Sequence, residues 1–352
     1  MSQPPQSPQS KSHVVNDRAS VWRAAYELAL DDAVGALATV SRHRGSLPMA
    51  RDAKLAVAVG GRRWGTVGGG CTEADVMEQA LRVAESGRPE SVSHTLNADL
   101  AGDIGLSCGG TVELFLEPID PTHEMAALYG AVADAIEQRV PATVITALDW
   151  SDGPRKQAVI GDEVVSAGWV EPVWPADLPH PRMSLVDEER GLFVEPIERI
   201  PRVIIFGAGH VGVEIARVAA GAGFQVVVTD DRADFANPER VPWASEVIAD
   251  DFRAVLERLV LDEDDYVLAT TRGHSMDAYI VERTASSGAR YVGMLGSQRK
   301  RSVIWQALEQ AGVPPQALER VRVPIGEPIG ADTPAEIAVS VVAELIRVRR
   351  TT

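Results

Sequence analysis

Cysteine is nearly absent from this sequence, with two among 352 residues. So few cysteines exclude the disulfide framework of a small secreted protein and favour a reducing compartment, so we expect a cytoplasmic protein. Long apolar runs are also missing, and no stretch approaches the roughly 20 residues that a membrane-spanning helix needs. Positive charge is scarce, since 34 Lys and Arg face 50 Asp and Glu for a net charge of −16. This imbalance disfavours partners such as nucleic acid or an anionic membrane.

The composition is that of a globular protein, with 45% hydrophobic and 24% charged residues, and the length allows two or three domains. Residues 1–16 are rich in Ser, Gln and Pro and predict a disordered tail that is not a signal peptide. Residues 17–120 predict an α+β domain, in which Gly60-Gly61 marks a hairpin turn. Prolines cluster between Glu171 and Pro201, so residues 121–200 predict a connecting region with a proline-rich linker. No internal repeat stands out.

Residues 201–352 have a different pattern. Short runs rich in Val and Ile alternate with helical periodicity, which is typical of a parallel sheet with crossover helices. The last helix begins at Thr333-Pro334-Ala335-Glu336, a capping box with proline at the first helical position. We therefore predict an α/β protein in which a C-terminal Rossmann-type, doubly wound parallel sheet follows an N-terminal α+β domain.

A G-x-G-x-x-G motif that begins at Gly207 lies between a predicted strand and a predicted helix, as in a dinucleotide-binding fold. Gly207 permits the tight turn, Gly209 lets the backbone approach a phosphate, and Gly212 lets the helix pack on the strand. His210 lies at the helix N-terminus, whose free N–H groups bind anions. Asp230 ends the next strand, where an acid meets a ribose hydroxyl and favours NAD over NADP. The alternative is a Rossmann scaffold that keeps its glycines for packing and binds no dinucleotide.

A second glycine turn, Gly296-Ser297, also follows a predicted strand and precedes a predicted helix. The cations Arg299, Lys300 and Arg301 lie at the start of that helix, beside its free N–H groups. Together they predict a site for phosphate or carboxylate. A solvated helix face is the alternative.

Both cysteines lie in glycine-rich loops. Cys71 follows Gly70 at the start of a predicted helix, where the helix dipole favours a thiolate, and Cys108 precedes Gly109. A buried structural cysteine more often lies among Val, Leu and Ile on a strand or helix. The pair therefore predicts thiol or thiolate chemistry, with two inert thiols in turns as the alternative. Their wide separation, without C-x-x-C or H-x-x-x-H spacing, disfavours a zinc site.

Several motifs occur in the order found in the XdhC/CoxI family, and the chain resembles that family over most of residues 35–118 and 200–348. The motifs are GGGCTEADV at 68–76, GLSCGG at 105–110, VIIFGAGHVG at 203–212, DDR to FANPER at 230–240, YVGMLGS at 291–297 and PIG to ADTP at 324–334. Members of the family are accessory factors for molybdenum hydroxylases such as xanthine dehydrogenase and carbon monoxide dehydrogenase.

The resemblance implies that the chain binds molybdenum cofactor (molybdopterin), helps it acquire a sulfido ligand and delivers it to an apo-hydroxylase. It makes Cys71 and Cys108 candidate contacts to the cofactor. It also makes the Rossmann domain a candidate site for the pterin phosphate, or for NAD or another nucleotide. The implied partners are a molybdenum hydroxylase and a cysteine desulfurase, and we expect a homodimer.

Two other functions stay open at this point. An NAD(P)-dependent oxidoreductase would use the glycine motif and Asp230 directly, although no His–Asp or Tyr–Lys pair for acid–base work is recognisable in the sequence. A protein–protein adaptor with a vestigial nucleotide fold would bind no small ligand.

Overall fold

A computed structural model of the chain describes residues 17–45, 50, 53–68, 71–96, 110–171, 173 and 183–351. The chain divides into two compact units, an N-terminal unit (Val15–Arg199) and a C-terminal unit (Ile200–Thr352). The predicted tail, residues 1–16, lies outside the described residues. Within the described ranges, no helix has the length and apolar character needed to cross a bilayer.

The first half of the N-terminal unit is built on an antiparallel sheet. Its elements are α1 (Asp17–Leu30), β1 (Gly35–Gly45), β2 (Lys54–Ala58), β3 (Arg63–Thr66), α2 (Cys71–Ser86), β4 (Glu90–Leu96) and β5 (Gly110–Pro118). The strand order is β3-β2-β1-β5-β4. Val76, Ala80 and Val83 lie on one face of α2 and pack into the core of this half. Strands β2 and β3 pair across Gly60-Gly61, so the predicted hairpin is confirmed.

The second half of this unit is folded where the sequence predicts a connecting region and linker at 121–200. Its elements are α3 (His123–Glu137), β6 (Ala142–Ala147), β7 (Lys156–Ile160), β8 (Glu163–Ala167), β9 (Leu185–Asp187) and β10 (Leu192–Ile197). The prediction of a linker from the prolines is wrong at Pro196, which lies inside β10. Strand β9 pairs only with residues 192–194 of β10, so Pro196 has a neighbouring strand on one side and its missing N–H breaks no ladder.

The two halves are structural repeats, which the sequence patterns did not reveal. The second sheet has the order β8-β7-β6-β10-β9, which reproduces the order of the first sheet strand for strand. The clearest sequence match is LFLEP at 114–118 in β5 against LFVEP at 192–196 in β10. Matches this short are hard to detect because the connections between them differ in length. Helix α2, for example, has no counterpart between β8 and β9 among the described residues.

Two buried ion pairs cross between the repeats. Lys54 of the first half lies 3.0 Å from a carboxylate oxygen of Glu195 in the second half. In the equivalent pair, Lys156 of the second half lies 2.7 Å from Glu117 of the first half. Lys156 and Glu117 are fully buried. Burial lowers the pKa of Lys156, and Glu117 opposes that change. Because each lysine pairs with a glutamate of the other half, neither half provides the partners for its own buried charges.

Aromatic side chains at equivalent positions also meet. Phe115 of β5 and Phe193 of β10 lie side by side, with ring centroids 5.3 Å apart. Trp22 of α1 and Tyr129 of α3 lie 6.1 Å apart. The ammonium group of Lys54 lies 4.5 Å from the centre of the Trp22 ring, so the aromatic contact and the crossed ion pairs form one cluster.

The C-terminal unit is a parallel sheet with helices on both faces. Its elements are β11 (Arg202–Phe206), α4 (His210–Gly221), β12 (Gln225–Asp230), β13 (Glu246–Ala249), α5 (Phe252–Arg258), β14 (Asp265–Ala269), α6 (His274–Thr284), β15 (Tyr291–Met294), α7 (Gln298–Gln310), α8 (Pro315–Glu319), β16 (Val321–Arg322) and α9 (Pro334–Arg350). The order β13-β12-β11-β14-β15-β16 confirms the predicted Rossmann-type fold. The capping box of Thr333 and Glu336 is also confirmed. The strand order reverses between β11 and β14, where such sheets bind ligands.

The crossed ion pairs predict a large effect of Lys156→Met on stability. The substitution leaves the Glu117 carboxylate buried without its partner, so we expect the free energy of unfolding to fall by about 3–5 kcal/mol. The matched control is Arg82→Met, which breaks an exposed pair with Glu78 and should cost less than about 1 kcal/mol. Urea unfolding measures both, and equal losses in the two variants would contradict a structural role for the crossed pairs.

Candidate functional site

Two glycines of the G-x-G-x-x-G motif are required by the packing of the C-terminal unit. Gly207 follows β11 with a φ of 118°, and a Cβ there would lie 2.6 Å from the carbonyl oxygen of Thr270. A Cβ on Gly212 would overlap the carbonyl oxygen of Gly207. These two positions therefore serve the turn and the close approach of α4 to the sheet.

Gly209 differs from both, because a Cβ there would meet no atom within 4 Å. Gly209 is the N-cap of α4 and His210 is the first residue of the helix. The free backbone N–H groups of this first turn and the positive end of the helix dipole suit an anion. The space above Gly209 is the part of the motif that packing does not explain.

A cavity of about 310 Å³ opens above this turn. It is lined by the glycine turn, by residues 230–232 after β12 and by residues 270–273 after β14, with Phe252 and Met276 contributing apolar surface. All three segments follow the carboxyl ends of neighbouring strands. The cavity therefore lies at the point where the sheet topology predicts a ligand.

Asp230 lines this cavity, but its carboxylate is already occupied. It accepts hydrogen bonds from the backbone N–H of Ala208 at 2.8 Å, the backbone N–H of Arg232 at 3.1 Å, and Nε and Nη2 of Arg232 at 2.8 and 3.0 Å. Burial opposes ionisation of Asp230, but the hydrogen bonds from Arg232 and Ala208 outweigh it and lower the pKa. Each carboxylate oxygen of Asp230 thus accepts two hydrogen bonds from the protein, and a contact of Asp230 with a ribose hydroxyl stays a prediction.

Arg232 and Arg272 are functional candidates that the sequence motifs did not single out. Both line the cavity, Arg232 after β12 and Arg272 after β14. The guanidinium carbon of Arg232 lies 3.4 Å from the centre of the Phe235 ring. The signal in the sequence was the DDR triplet at 230–232. In a tight bend, the side chain of the third residue can fold back and bind the side chain of the first.

The second glycine turn holds its own cation. Ser297 is the N-cap of α7 and accepts a hydrogen bond from the backbone N–H of Lys300. The ammonium group of Lys300 donates to the carbonyl oxygen of Leu295 at 2.9 Å and pairs with the buried carboxylate of Asp277. Neither Gly296 nor Ser297 lines the cavity. Because Lys300 is neutralised within the protein, this turn has less positive charge for an anion than its sequence predicts.

Of the candidate residues near the thiols, the structure describes only the backbone of Cys71. Cys71 is the first residue of α2, whereas Cys108, Gly70 and Gly109 lie outside the described residues. The start of α2 is anchored through Glu73, which accepts hydrogen bonds from Thr66 at 2.5 Å and from Arg63 at 2.9 Å. Among the described residues, no three His, Cys, Asp or Glu side chains converge as a metal site requires.

A duplicated antiparallel unit and a Rossmann unit with an open cavity define a two-unit α/β protein. Two family models match the chain, one for the XdhC Rossmann domain at residues 203–345 and one for the XdhC and CoxI family at residues 31–95. Together these ranges cover more than half of the sequence, so the chain belongs to the XdhC and CoxI family.

Individual relatives match over nearly the whole length. The chain is 28% identical to a probable xanthine dehydrogenase subunit of Bacillus subtilis, covering 91% of this chain and 94% of the relative. It is 23% identical to the molybdenum cofactor insertion chaperone PaoD of Escherichia coli, covering 96% and 91%. A solved structure described as a xanthine dehydrogenase from Bacillus halodurans has a TM-score of 0.77 at 27% identity and covers 94% of this chain and 96% of that one.

The open space above Gly209 predicts a selective loss of binding in Gly209→Val. The added Cβ meets no atom within 4 Å and its methyl groups would fill the position of a bound phosphate. We therefore expect affinity to fall at least about tenfold while thermal unfolding stays close to wild type. Calorimetric titration with ADP measures the binding. Gly221→Val is the matched control, because it adds the same side chain at another open position of α4. Unchanged affinity in folded Gly209→Val would exclude a phosphate at this turn.

Gly212→Ala should behave in the opposite way. Its Cβ would overlap the backbone of the glycine turn, so we expect a loss of stability of about 1–3 kcal/mol or more from overpacking. Urea unfolding compares it with Gly221→Ala at the far end of the same helix. A Gly212→Ala variant as stable as wild type would contradict the close packing of α4 on the sheet.

Proposed function

We propose that this protein binds molybdenum cofactor and delivers it to a molybdenum hydroxylase of the xanthine dehydrogenase type. The observation that carries the proposal is the similarity to the insertion chaperone of Escherichia coli, which extends over 96% of this chain and so includes both units. A similarity confined to the Rossmann sheet would indicate a shared fold alone. The cavity above Gly209 adds support, because it offers a site for a phosphate-bearing ligand.

In this proposal the two cysteines hold the molybdenum end of the cofactor. Thiolate sulfur is a soft ligand and suits a metal centre that is rich in sulfur. Cys71 begins α2, where the first-turn N–H groups favour a thiolate. The nearby Glu73 carboxylate would oppose that negative charge, but Arg63 lies 2.9 Å from it and neutralises it. The start of α2 thus keeps its preference for an anion.

The neighbouring glycines complete the proposed site. Gly70 and Gly109 each stand beside a cysteine and present no side chain, so a bulky ring system can approach the backbone there. We further propose that sulfuration occurs on the bound cofactor, with a cysteine desulfurase as the sulfur donor, before the apo-hydroxylase takes it. A cytoplasmic location belongs to the same proposal, since reduced thiols need a reducing compartment. We also propose that the protein is a homodimer.

An NAD(P)-dependent oxidoreductase is the alternative that the glycine turn serves equally well. Among the described lining residues, proton exchange would fall to His210, Asp230 and Asp231. Asp230 is held ionised by Arg232 and Ala208, and no hydrogen bond joins His210 to a carboxylate in the described part of the chain. General acid–base catalysis needs a side chain that is positioned to exchange a proton with the substrate, and a second group often orients that side chain. We therefore favour a binding role for the cavity.

The thiol assignment predicts that Cys71→Ala and Cys108→Ala each fold but carry less molybdenum cofactor than wild type. Loss of a soft ligand should reduce loading at least about tenfold. Serine should be nearly as damaging as alanine, because a hydroxyl is neither soft nor ionised at neutral pH. Loading is measured after anaerobic purification, as molybdenum by mass spectrometry and as pterin fluorescence after oxidation.

The matched control is Met183→Ala, which removes a sulfur atom from a side chain that is 64% exposed in the second half of the N-terminal unit. We expect wild-type loading from this control. Activation of a cofactor-free hydroxylase should follow the same order as loading. Wild-type loading and activation by the double Cys71→Ala, Cys108→Ala variant would refute the thiol assignment.

A further inference from the structure

The end of β12 is where a Rossmann unit contacts the ribose of a nucleotide, and an acid there accepts hydrogen bonds from the ribose hydroxyls when its oxygen atoms are free. In this protein they are not free. Asp230 is 1% exposed, and the guanidinium of Arg232 covers it through two hydrogen bonds. Arg232 is therefore the cationic side chain that reaches the cavity from this strand, next to the carboxylate of Asp231.

Arg232 is held in place but retains donors for a ligand. Its Nε and Nη2 bind Asp230, whereas Nη1 has no hydrogen-bond partner among the described residues. The Phe235 ring supports the guanidinium from one face, at 3.4 Å. The side chain is 29% exposed. A guanidinium fixed in this way loses little conformational entropy when it binds an anion.

A second arginine reaches the same cavity from the neighbouring strand. Arg272 follows β14, and its side chain is 69% exposed. The carboxylate oxygens of Asp231 lie 3.7 Å from Nε of Arg232 and 3.7 Å from Nη2 of Arg272. That separation is too long for a hydrogen bond, so Asp231 keeps the two arginines near each other without occupying their N–H groups. The cavity edge thus presents two guanidinium groups and one accessible carboxylate, Asp231, so its cations outnumber its accessible anions.

We infer that the Rossmann cavity takes a nucleotide whose ribose carries a 2′-phosphate, and that Arg232, assisted by Arg272, binds that phosphate. Arginine pairs with phosphate through two parallel N–H donors, and it occupies this position where the 2′-phosphate of NADP is accommodated. The inference reverses the preference for NAD that Asp230 predicts from the sequence. It rests on the proposed binding of a phosphate-bearing ligand in this cavity.

The test is calorimetric titration of the full chain with NADP⁺, with NAD⁺ and with ADP. We expect NADP⁺ to bind at least about tenfold more tightly than NAD⁺. Arg272→Ala should lower affinity for NADP⁺ several-fold and leave NAD⁺ unchanged, and because Arg272 is exposed this variant keeps the Asp230 contacts intact. Arg232→Ala should remove the preference for NADP⁺ altogether. Thermal unfolding of each variant checks the fold.

The matched control is Arg240→Ala. Arg240 lies 4.7 Å from the same Phe235 ring but does not line the cavity, so we expect no change in affinity for either dinucleotide. Equal affinities, or tighter binding of NAD⁺, would overturn the inference. So would a preference for NADP⁺ that survives in both Arg232→Ala and Arg272→Ala.

The failure of this inference can be told apart from the failure of the proposed function. If ADP binds and Gly209→Val abolishes that binding, but the dinucleotides are not distinguished, the 2′-phosphate inference alone is wrong. If neither dinucleotide nor ADP binds, the cavity is not a nucleotide site and the inference is wrong as well. Molybdenum cofactor content, measured on the same preparations, reports on the proposed function independently of all three titrations.

Discussion

The buried carboxylate of Asp230 is the constraint on which the ligand cavity depends. Its hydrogen bond to the backbone of Ala208 fixes the glycine turn after β11. Its bonds to Arg232 fix the segment that follows β12. One ionised side chain therefore joins two neighbouring strand ends and holds the guanidinium of Arg232 at the cavity. Such a charge-assisted network is stable because each donor that faces the buried carboxylate makes a hydrogen bond to it.

The N-terminal unit depends on a comparable arrangement at its centre. Lys54 and Lys156 each cross to a glutamate of the other repeat. A buried ion pair need not make a fold more stable than an apolar pair of similar volume would, but here the crossed pairs make the two halves mutually dependent. The second half has no cysteine, yet it completes the buried charge balance of the first half, which carries both thiols. We interpret it as the support that fixes the strands from which the cysteine loops extend.

Local patterns were predictable from the sequence. The glycine turn at Gly60-Gly61, the capping box at Thr333 and the rhythm of the parallel sheet depend on residues close in the chain, and each is confirmed. The repeat was not, because its match is five residues long and Pro196 suggested a linker. The hydrogen bonds from Arg232 to Asp230 were also not predicted. A sequence motif specifies which residue types occur, but it does not specify which donor binds a given acceptor.

Delivery of cofactor is tested most directly by a transfer experiment with the wild-type chain. Protein isolated anaerobically from a molybdenum-replete host is mixed with cofactor-free xanthine dehydrogenase, and the two proteins are then separated. We expect molybdenum to leave this chain and to appear in the hydroxylase, with activity rising in the same proportion and faster than with free cofactor. Molybdenum that stays on the chain, or activity no greater than free cofactor produces, would contradict a delivery function.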